Sequence, residues 1–125
     1  MGGFMGLKLK ALIVDDEIDV CYLLRSILNN KNLQASFVNT ISDAKKALKE
    51  EQHSIVFLDN HLPDGFGMNF IEEIKKLNPD VKIVMITAHD TISDKNTAYQ
   101  RGVDHFIGKP FTRENIFKAV DSLVK

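Results

Sequence analysis

The chain alternates between short runs of consecutive apolar residues and longer stretches in which apolar residues recur every three or four positions. The runs have the length of single strands, and the recurring positions have the period of helices that bury one face. Strands are predicted at residues 11–14, 55–58, 81–86 and 103–108, and a weaker, more polar one at 34–38. The polar run is typical of a strand at the edge of a sheet.

Five helices are predicted between these strands and after the last one. Polar residues that can cap a helix precede two of them, Thr40 or Ser42 before the second and Thr112 before the last. The fourth is the least regular, because it is rich in Thr, Ser, Asn and Asp. The predicted helices follow Asp16 as far as Asn30, follow Thr40 or Ser42, span 69–77 and 91–101, and follow Thr112.

Strands that alternate with helices predict a doubly wound α/β domain. A crossover between two parallel strands is right-handed in nearly all proteins, so the sheet is parallel and has helices on both faces. We expect a flavodoxin-like sheet of five parallel strands in the order 2-1-3-4-5, flanked by five helices. The order reverses between the first and third strands, and ligands of such sheets bind there, beyond the carboxyl ends of the strands.

Four of the predicted strands lead into charged or polar residues. Asp15 and Asp16 follow the first strand, Asp59 the third, Thr87 the fourth and Lys109 the fifth. Alone, each has an ordinary explanation, because Asp and Thr often cap helices or close turns and loop lysines are usually solvated. Together they meet at one edge of the sheet, where crowded carboxylates repel unless a cation lies between them. The set predicts a site for Mg²⁺ and a phosphoryl group.

The composition is that of one ordinary globular domain. The chain has 125 residues, of which 44% are hydrophobic and 26% charged, and its formal net charge is −1. This balance gives no electrostatic reason to expect nucleic acid or membrane binding. No apolar run reaches the roughly 18 residues of a membrane span and no signal peptide is visible, so we expect a cytoplasmic protein.

Two local features refine this assignment. Residues 1–7 are rich in glycine and have no period, so we expect a flexible leader or an expression remnant, followed by one domain at 8–125. Cys21 has no second cysteine with which to form an internal disulfide, and it lies among apolar helix positions. It is therefore predicted to be a buried thiol.

Four short motifs lie at the ends of the predicted strands. They are Ile-Val-Asp-Asp-Glu at 13–17, Leu-Asp-Asn-His-Leu-Pro-Asp-Gly-Phe-Gly at 58–67, Ile-Thr-Ala at 86–88 and Phe-Ile-Gly-Lys-Pro-Phe at 106–111. As an ordered set they resemble the response-regulator receiver domain of bacterial two-component signalling, in the CheY-like superfamily. The resemblance extends from Lys8 to about Leu123, and none of the five signature side chains is replaced.

The resemblance implies a nucleophile and a set of metal ligands. Asp59 would be the phosphoacceptor, whose carboxylate attacks phosphorus to give an acyl phosphate. Asp16 would bind Mg²⁺, or Mn²⁺ in its place, directly, and Asp15 would act mainly through water. Asp59 itself and the backbone carbonyl of His61 would be further metal ligands.

The other implied roles concern the phosphoryl group. Lys109 would pair with a phosphoryl oxygen, and the Lys109–Pro110 peptide bond is expected to be cis. The Thr87 hydroxyl and the Ala88 backbone N–H would bind the phosphoryl group, and the small side chain of Ala88 would leave room for it. Phe106 would be the switch aromatic, which moves inward as Thr87 is drawn toward the phosphate.

By this resemblance the protein is a phosphoacceptor switch and not an enzyme, since it would catalyse only its own phosphorylation and dephosphorylation. The donor would be a phosphohistidine on a sensor histidine kinase or phosphotransfer protein, or a small molecule such as acetyl phosphate. ATP is not expected as a donor, because no nucleotide-binding motif is present. Phosphorylation would reshape the surface of the fourth helix, fifth strand and last helix to control an output domain or a partner. A monomer and a symmetric dimer both stay open.

Two other classes of protein compete with this interpretation. A phosphatase or phosphotransferase of the haloacid dehalogenase type would want a second Asp two residues after its nucleophile, where His61 stands. A pure interaction module with a vestigial acidic pocket would not need the strand-end residues intact. Both are therefore less favoured than a receiver.

Two histidines flank the expected site. His61 follows Asp59 by two residues, and His89 follows Thr87 by two. Three interpretations stay open: metal ligation, control of the water that hydrolyses an acyl phosphate, and an ordinary solvated loop.

Overall fold

Five parallel strands form the central sheet in a computed structural model that describes residues 9–123. They are β1 (Leu9–Val14), β2 (Leu33–Val38), β3 (Ile55–Leu58), β4 (Lys82–Thr87) and β5 (His105–Gly108). Their order is β2-β1-β3-β4-β5, which confirms the predicted doubly wound fold and its strand order. The leader predicted at 1–7 lies outside the described residues, and the domain limits of 8 and 125 stay a prediction.

Within residues 9–123, five helices cover the two faces of the sheet, as predicted. They are α1 (Ile18–Asn29), α2 (Ile41–Glu50), α3 (Ile71–Leu77), α4 (Ile92–Arg101) and α5 (Arg113–Leu123). Helices α1 and α5 pack on one face and α2, α3 and α4 on the other. None of the helices within residues 9–123 combines the length and the apolar character needed to cross a bilayer.

An apolar core lies on each face of the sheet, and the central strand β3 contributes residues to both. Ile55 and Phe57 point toward α1 and α5, while Val56 and Leu58 point to the opposite face. All four are buried, because a parallel strand covered by helices on both sides needs apolar residues at every position. Cys21 lies buried in the first of these cores, as predicted.

Threonine side chains mark the beginnings of three helices. The hydroxyls of Thr40, Thr91 and Thr112 each accept a hydrogen bond from the backbone N–H three residues later, at 3.0, 3.1 and 3.0 Å. Of the two residues proposed to cap α2, Thr40 is therefore the cap and Ser42 is not. Gly102, with a φ of 111°, ends α4 in the left-handed conformation, as predicted.

The segment after β3 differs from the prediction of a helix that begins at residue 69. A short hairpin and a 3₁₀ turn precede α3; they comprise His61–Leu62, Gly65–Phe66 and Gly67–Phe70. Apolar spacing alone does not distinguish a 3₁₀ turn from the first turn of an α-helix. A Cβ at Gly67 would collide with the carbonyl oxygen of Asp59, so this turn passes too close to the end of β3 for any larger residue.

Candidate functional site

Backbone hydrogen bonds extend the sheet ladder past the carboxyl ends of its strands. The N–H groups of Asp15, Asp59 and Lys109 donate to carbonyls of neighbouring strands at 3.1, 2.9 and 2.7 Å. Thr87 is the last residue of β4, so that strand extends one residue further than predicted. These bonds hold four of the five predicted residues, Asp15, Asp59, Thr87 and Lys109, at one edge of the sheet.

The side chain of Lys109 brings an ammonium group among three carboxylates. Its Nζ lies 2.6 Å from Glu17 Oε1, 3.0 Å from Asp15 Oδ2 and 3.7 Å from Asp59 Oδ2. The side chains of Lys109, Asp15 and Asp59 are only 11%, 4% and 6% exposed, so water and salt screen their charges weakly. The Lys109–Pro110 peptide bond is cis, the geometry that the resemblance implies.

Burial makes the two inner carboxylates hard to ionise. Burial, and after it the charge of Asp15, raises the pKa of Asp59 to about 6. Burial also raises the pKa of Asp15, against hydrogen bonds from the Glu17 N–H and Lys109 that oppose the change. Burial would lower the pKa of Lys109, but hydrogen bonds to Glu17 and Asp15 outweigh it and raise that pKa. The crevice thus holds more negative charge than the Lys109 ammonium compensates.

This excess negative charge fits a divalent cation. One carboxylate oxygen from each of Asp15, Glu17 and Asp59 lies within 4.8 Å of the others. Carboxylate oxygens are the ligands that Mg²⁺ and Ca²⁺ prefer. The residues therefore fit the kind of cation that the resemblance implies. The set differs from the predicted one, because Asp16 is exposed and lines the crevice but does not belong to this group of oxygens.

Glu17 is a site residue to which the sequence assigned no role. It precedes α1 as the N-cap residue, and its side chain makes no capping hydrogen bond to that helix. Its backbone N–H donates to Asp15 Oδ1 at 2.9 Å, while its carboxylate, 60% exposed, contacts Lys109. The only sequence signal was a third acidic residue directly after the Asp15-Asp16 pair.

An open cavity of about 250 Å³ lies beside Asp59. Its lining contains Glu17 and most of the residues singled out from the sequence: Asp16, Asp59, His61, Thr87, Ala88, His89 and Lys109. The Thr87 hydroxyl accepts a hydrogen bond from the His89 N–H at 3.2 Å, so its own proton is available to a ligand in the cavity. The lining thus combines an ammonium, a hydroxyl donor and carboxylates, which is the chemistry that a phosphoryl group and a cation require.

The predicted switch aromatic lies outside this cavity. Phe106 is 7% exposed and packs in the core on the side of α2, α3 and α4. Its N–H donates to the hydroxyl of Tyr99 in α4 at 3.1 Å. Phe106 therefore connects β5 to α4 in this structure and does not touch the cavity directly.

The fold and the site define a doubly wound α/β protein with an acidic crevice, crossed by a lysine, at its topological switch point. The chain belongs to the response regulator receiver domain family, whose profile matches residues 11–121. This match confirms the resemblance found in the four motifs. Receiver domains are the phosphoacceptor switches of two-component signalling.

One relative and two solved structures illustrate the relationship. Response regulator protein PilR of Pseudomonas aeruginosa is 33% identical over 101 residues, which are 81% of this chain and 23% of PilR. The chain spans about a quarter of the length of the curated relatives that it matches first. The beryllofluoride-activated NtrC4 receiver domain dimer is 32% identical, with a TM-score of 0.87 over 91% of this chain and 94% of that chain.

The second structure is a response regulator from Burkholderia pseudomallei, crystallised with a phosphorylated aspartic acid, a calcium ion and citrate. It is 24% identical, with a TM-score of 0.84 over 90% of this chain and 66% of that chain. At this identity the likeness shows the shared fold alone.

Proposed function

We propose that this chain accepts a phosphoryl group on the Asp59 carboxylate in the presence of Mg²⁺ and that the phosphorylated form is a signal. The position of Asp59 supports this most. Asp59 is 5% exposed and lines the cavity, and its carboxylate lies 3.7 Å from the Lys109 ammonium. It also belongs to the cluster of three carboxylates formed with Asp15 and Glu17. Such a carboxylate is open to a donor from the cavity and stands next to the charge that would bind phosphate.

The ion would be held by the residues that the family resemblance assigns. Asp16 would coordinate Mg²⁺, or Mn²⁺ in its place, together with Asp59 and the backbone carbonyl of His61, and Asp15 would act through water. When bound, the ion would supply positive charge that the crowded carboxylates lack. In the B. pseudomallei protein of the same fold, a calcium ion accompanies the phosphorylated aspartic acid.

The chain's own residues would position and neutralise the transferred group. An oxygen of Asp59 would form a bond to phosphorus while the bond from phosphorus to the donor breaks in line with it. Lys109 would move its ammonium from the carboxylates to a phosphoryl oxygen. The Thr87 hydroxyl and the Ala88 N–H would donate to the remaining oxygens, and the small side chain of Ala88 leaves space for them.

Phosphorylation would be transmitted to the surface formed by α4, β5 and α5. Thr87 pairs in register with Gly108, two residues beyond Phe106 on β5, so a movement of Thr87 would reach that strand. Helix α4 suits a switching element, because Ala98 is its only buried residue and little apolar packing holds it. Phe106 and Tyr99 would then change their contact as α4 shifts.

The partners follow from the class of protein. The donor would be a sensor histidine kinase or a histidine phosphotransfer protein. The chain covers only 23% of the response regulator PilR, so the switched surface would act on an output domain or on a separate effector. The NtrC4 receiver dimer favours a symmetric dimer, and a monomer is the alternative. We propose no nucleic acid or membrane partner for this segment and a cytoplasmic location.

Incubation with acetyl phosphate, followed by intact mass measurement, tests this function. We expect the chain to gain the mass of one labile phosphoryl group with Mg²⁺ and none when the metal is chelated. An enzyme with an aspartyl-phosphate intermediate would consume the donor repeatedly and stay mostly unmodified. A vestigial pocket would gain nothing, and either of these two results would contradict the proposal.

A further inference from the structure

Two imidazoles lie side by side in the lining of the cavity. The ring centroids of His61 and His89 are 4.2 Å apart, and the ring planes are inclined at 39°. Both side chains are exposed. They belong to separate segments, the hairpin after β3 and the loop after β4, so the fold brings them together and the sequence spacing does not show it.

The loops that carry the two residues are held in place by their surroundings. The hairpin pairs His61 with Phe66, whose ring meets the His61 imidazole edge to face at a centroid distance of 5.4 Å. On the other side, the backbone N–H of His89 donates to the Thr87 hydroxyl. The approach of the two rings therefore follows from two constrained loops.

The ring nitrogens are available to a ligand. Within residues 9–123, no hydrogen bond or salt bridge to another residue engages an imidazole nitrogen of His61 or His89. Imidazole nitrogen is a preferred ligand of Zn²⁺, Ni²⁺ and Cu²⁺, whereas the carboxylates of Asp15, Glu17 and Asp59 are preferred ligands of Mg²⁺. The pair of imidazoles and the cluster of carboxylates therefore favour different metals.

A single zinc ion would bind one nitrogen of each ring. Zinc binds imidazole nitrogen at about 2.0–2.1 Å, so two such nitrogens on one tetrahedral ion lie about 3.3 Å apart. In the structure the rings stack with their centroids 4.2 Å apart and their planes inclined at 39°, so both exposed side chains would rotate to direct one nitrogen each at a shared ion. Water would complete the coordination.

We propose that His61 and His89 form a second metal site, for a divalent transition metal such as Zn²⁺, at the mouth of the cavity. It has two nitrogen donors and is separate from the oxygen donors of Asp15, Glu17 and Asp59. A bound ion would stand between solvent and Asp59. It would therefore obstruct the approach of a phosphoryl donor.

Zinc titration in excess Mg²⁺, which occupies the carboxylates, tests the site. We expect the wild type to bind one Zn²⁺ with clear shifts of the His61 and His89 imidazole NMR signals. His61→Ala and His89→Ala should each weaken zinc binding by at least about tenfold, while His105→Ala, on β5, should bind as the wild type does. His61 and His89 are both exposed, so we expect their variants to fold, and an unchanged circular dichroism spectrum would show it. Equal zinc affinity in the wild type and in a His61→Ala/His89→Ala double variant would overturn the proposal. The two rings would then be in contact without forming a metal site.

A second arm measures the consequence, which rests on the proposed function. Saturating Zn²⁺ should slow phosphoryl uptake from acetyl phosphate severalfold in the wild type and leave the His61→Ala/His89→Ala double variant unaffected. Equal inhibition of both proteins would overturn the obstruction. If the wild type takes up no phosphoryl group even without zinc, the proposed function fails, while the titration still decides the metal site.

Discussion

The Lys109 ammonium lies against the carboxylates of Glu17, Asp15 and Asp59. Under the proposed function, its removal should affect the handling of phosphate and the binding of metal differently. Lys109→Ala should slow phosphoryl uptake by about 10²-fold, because a preorganised charge opposite the transferred group is lost. Magnesium affinity should be retained, since the carboxylates lose a competing cation.

Phosphoryl uptake by mass spectrometry and Mg²⁺ binding by calorimetry measure the two effects. Lys49→Ala, at an exposed lysine of α2, is the matched control. A wild-type rate of uptake in Lys109→Ala would contradict the role of this residue.

The raised pKa of Asp59 makes a signed prediction about stability. The folded pKa is about 6 against an ordinary value of 3.8, so the folded state binds more protons than the unfolded state between these values. Without divalent cations, the contribution of Asp59 to the free energy of unfolding should therefore fall as pH rises through this window. Asp59→Asn removes the charge and should raise the free energy of unfolding at neutral pH by on the order of 2 kcal/mol.

Urea denaturation with a chelator, at about pH 4 and about pH 7.5, checks this prediction. Near pH 4 the folded side chain is almost fully protonated and the unfolded one is partly protonated, so most of the advantage of Asp59→Asn should disappear. An equal difference at both pH values would show that the charge of Asp59 is not its cause.

The individual residues of the site were predictable to different degrees. Asp59, Thr87 and Lys109 could be predicted to meet because each ends a strand, and the sheet fixes where strands end. Glu17 and the contact between His61 and His89 could not, because they depend on side-chain torsions and on the path of loops. Strand periodicity contains no information about either.

Among the secondary-structure elements, α2 offers a paired test of capping. The Thr40 hydroxyl accepts a hydrogen bond from the Asp43 N–H at 3.0 Å, and Ser42 lies inside the helix. Thr40→Ala should lower the free energy of unfolding by about 1 kcal/mol, because a helix N–H loses its partner. Ser42→Ala should change it by less than about 0.5 kcal/mol. Urea denaturation compares the two, and equal losses would contradict the capping assignment.

The elements themselves followed the sequence closely wherever packing decides them. Strand β3 is apolar at every position and buried on both faces, so its pattern has one interpretation. The segment 61–70 did not follow the sequence pattern, because backbone contacts determine its hairpin and 3₁₀ turn. The close approach of Gly67 to the Asp59 carbonyl is such a contact, and a glycine alone does not reveal what it approaches.

For the whole molecule, a bound cation should raise stability by mass action. Millimolar Mg²⁺ should raise the melting temperature of the wild type, because the ion binds the folded crevice and not the unfolded chain. Asp16→Asn and Asp59→Asn should lose most of this rise. Asp19→Asn, at an exposed position in α1, should keep it. A wild-type melting temperature that does not respond to Mg²⁺ would contradict the metal assignment.

The whole fold could be predicted because only a few strand orders are possible for such a sheet. Right-handed crossovers and five alternating βα units leave few arrangements of a parallel sheet, and the observed order is the predicted one. The state of the switch could not be predicted in this way. Whether Phe106 and α4 adopt one arrangement or another depends on small free-energy differences that no residue pattern encodes.

Phosphoryl incorporation in two aspartate variants tests the central claim most directly. Asp59→Asn preserves the shape of the nucleophile but removes its charge, and Asp80→Asn makes the same change at an exposed turn. After incubation with acetyl phosphate and Mg²⁺, intact mass should show one phosphoryl group on the wild type and on Asp80→Asn, and none on Asp59→Asn. A phosphoryl group that persists on Asp59→Asn would place the acceptor elsewhere and contradict the account.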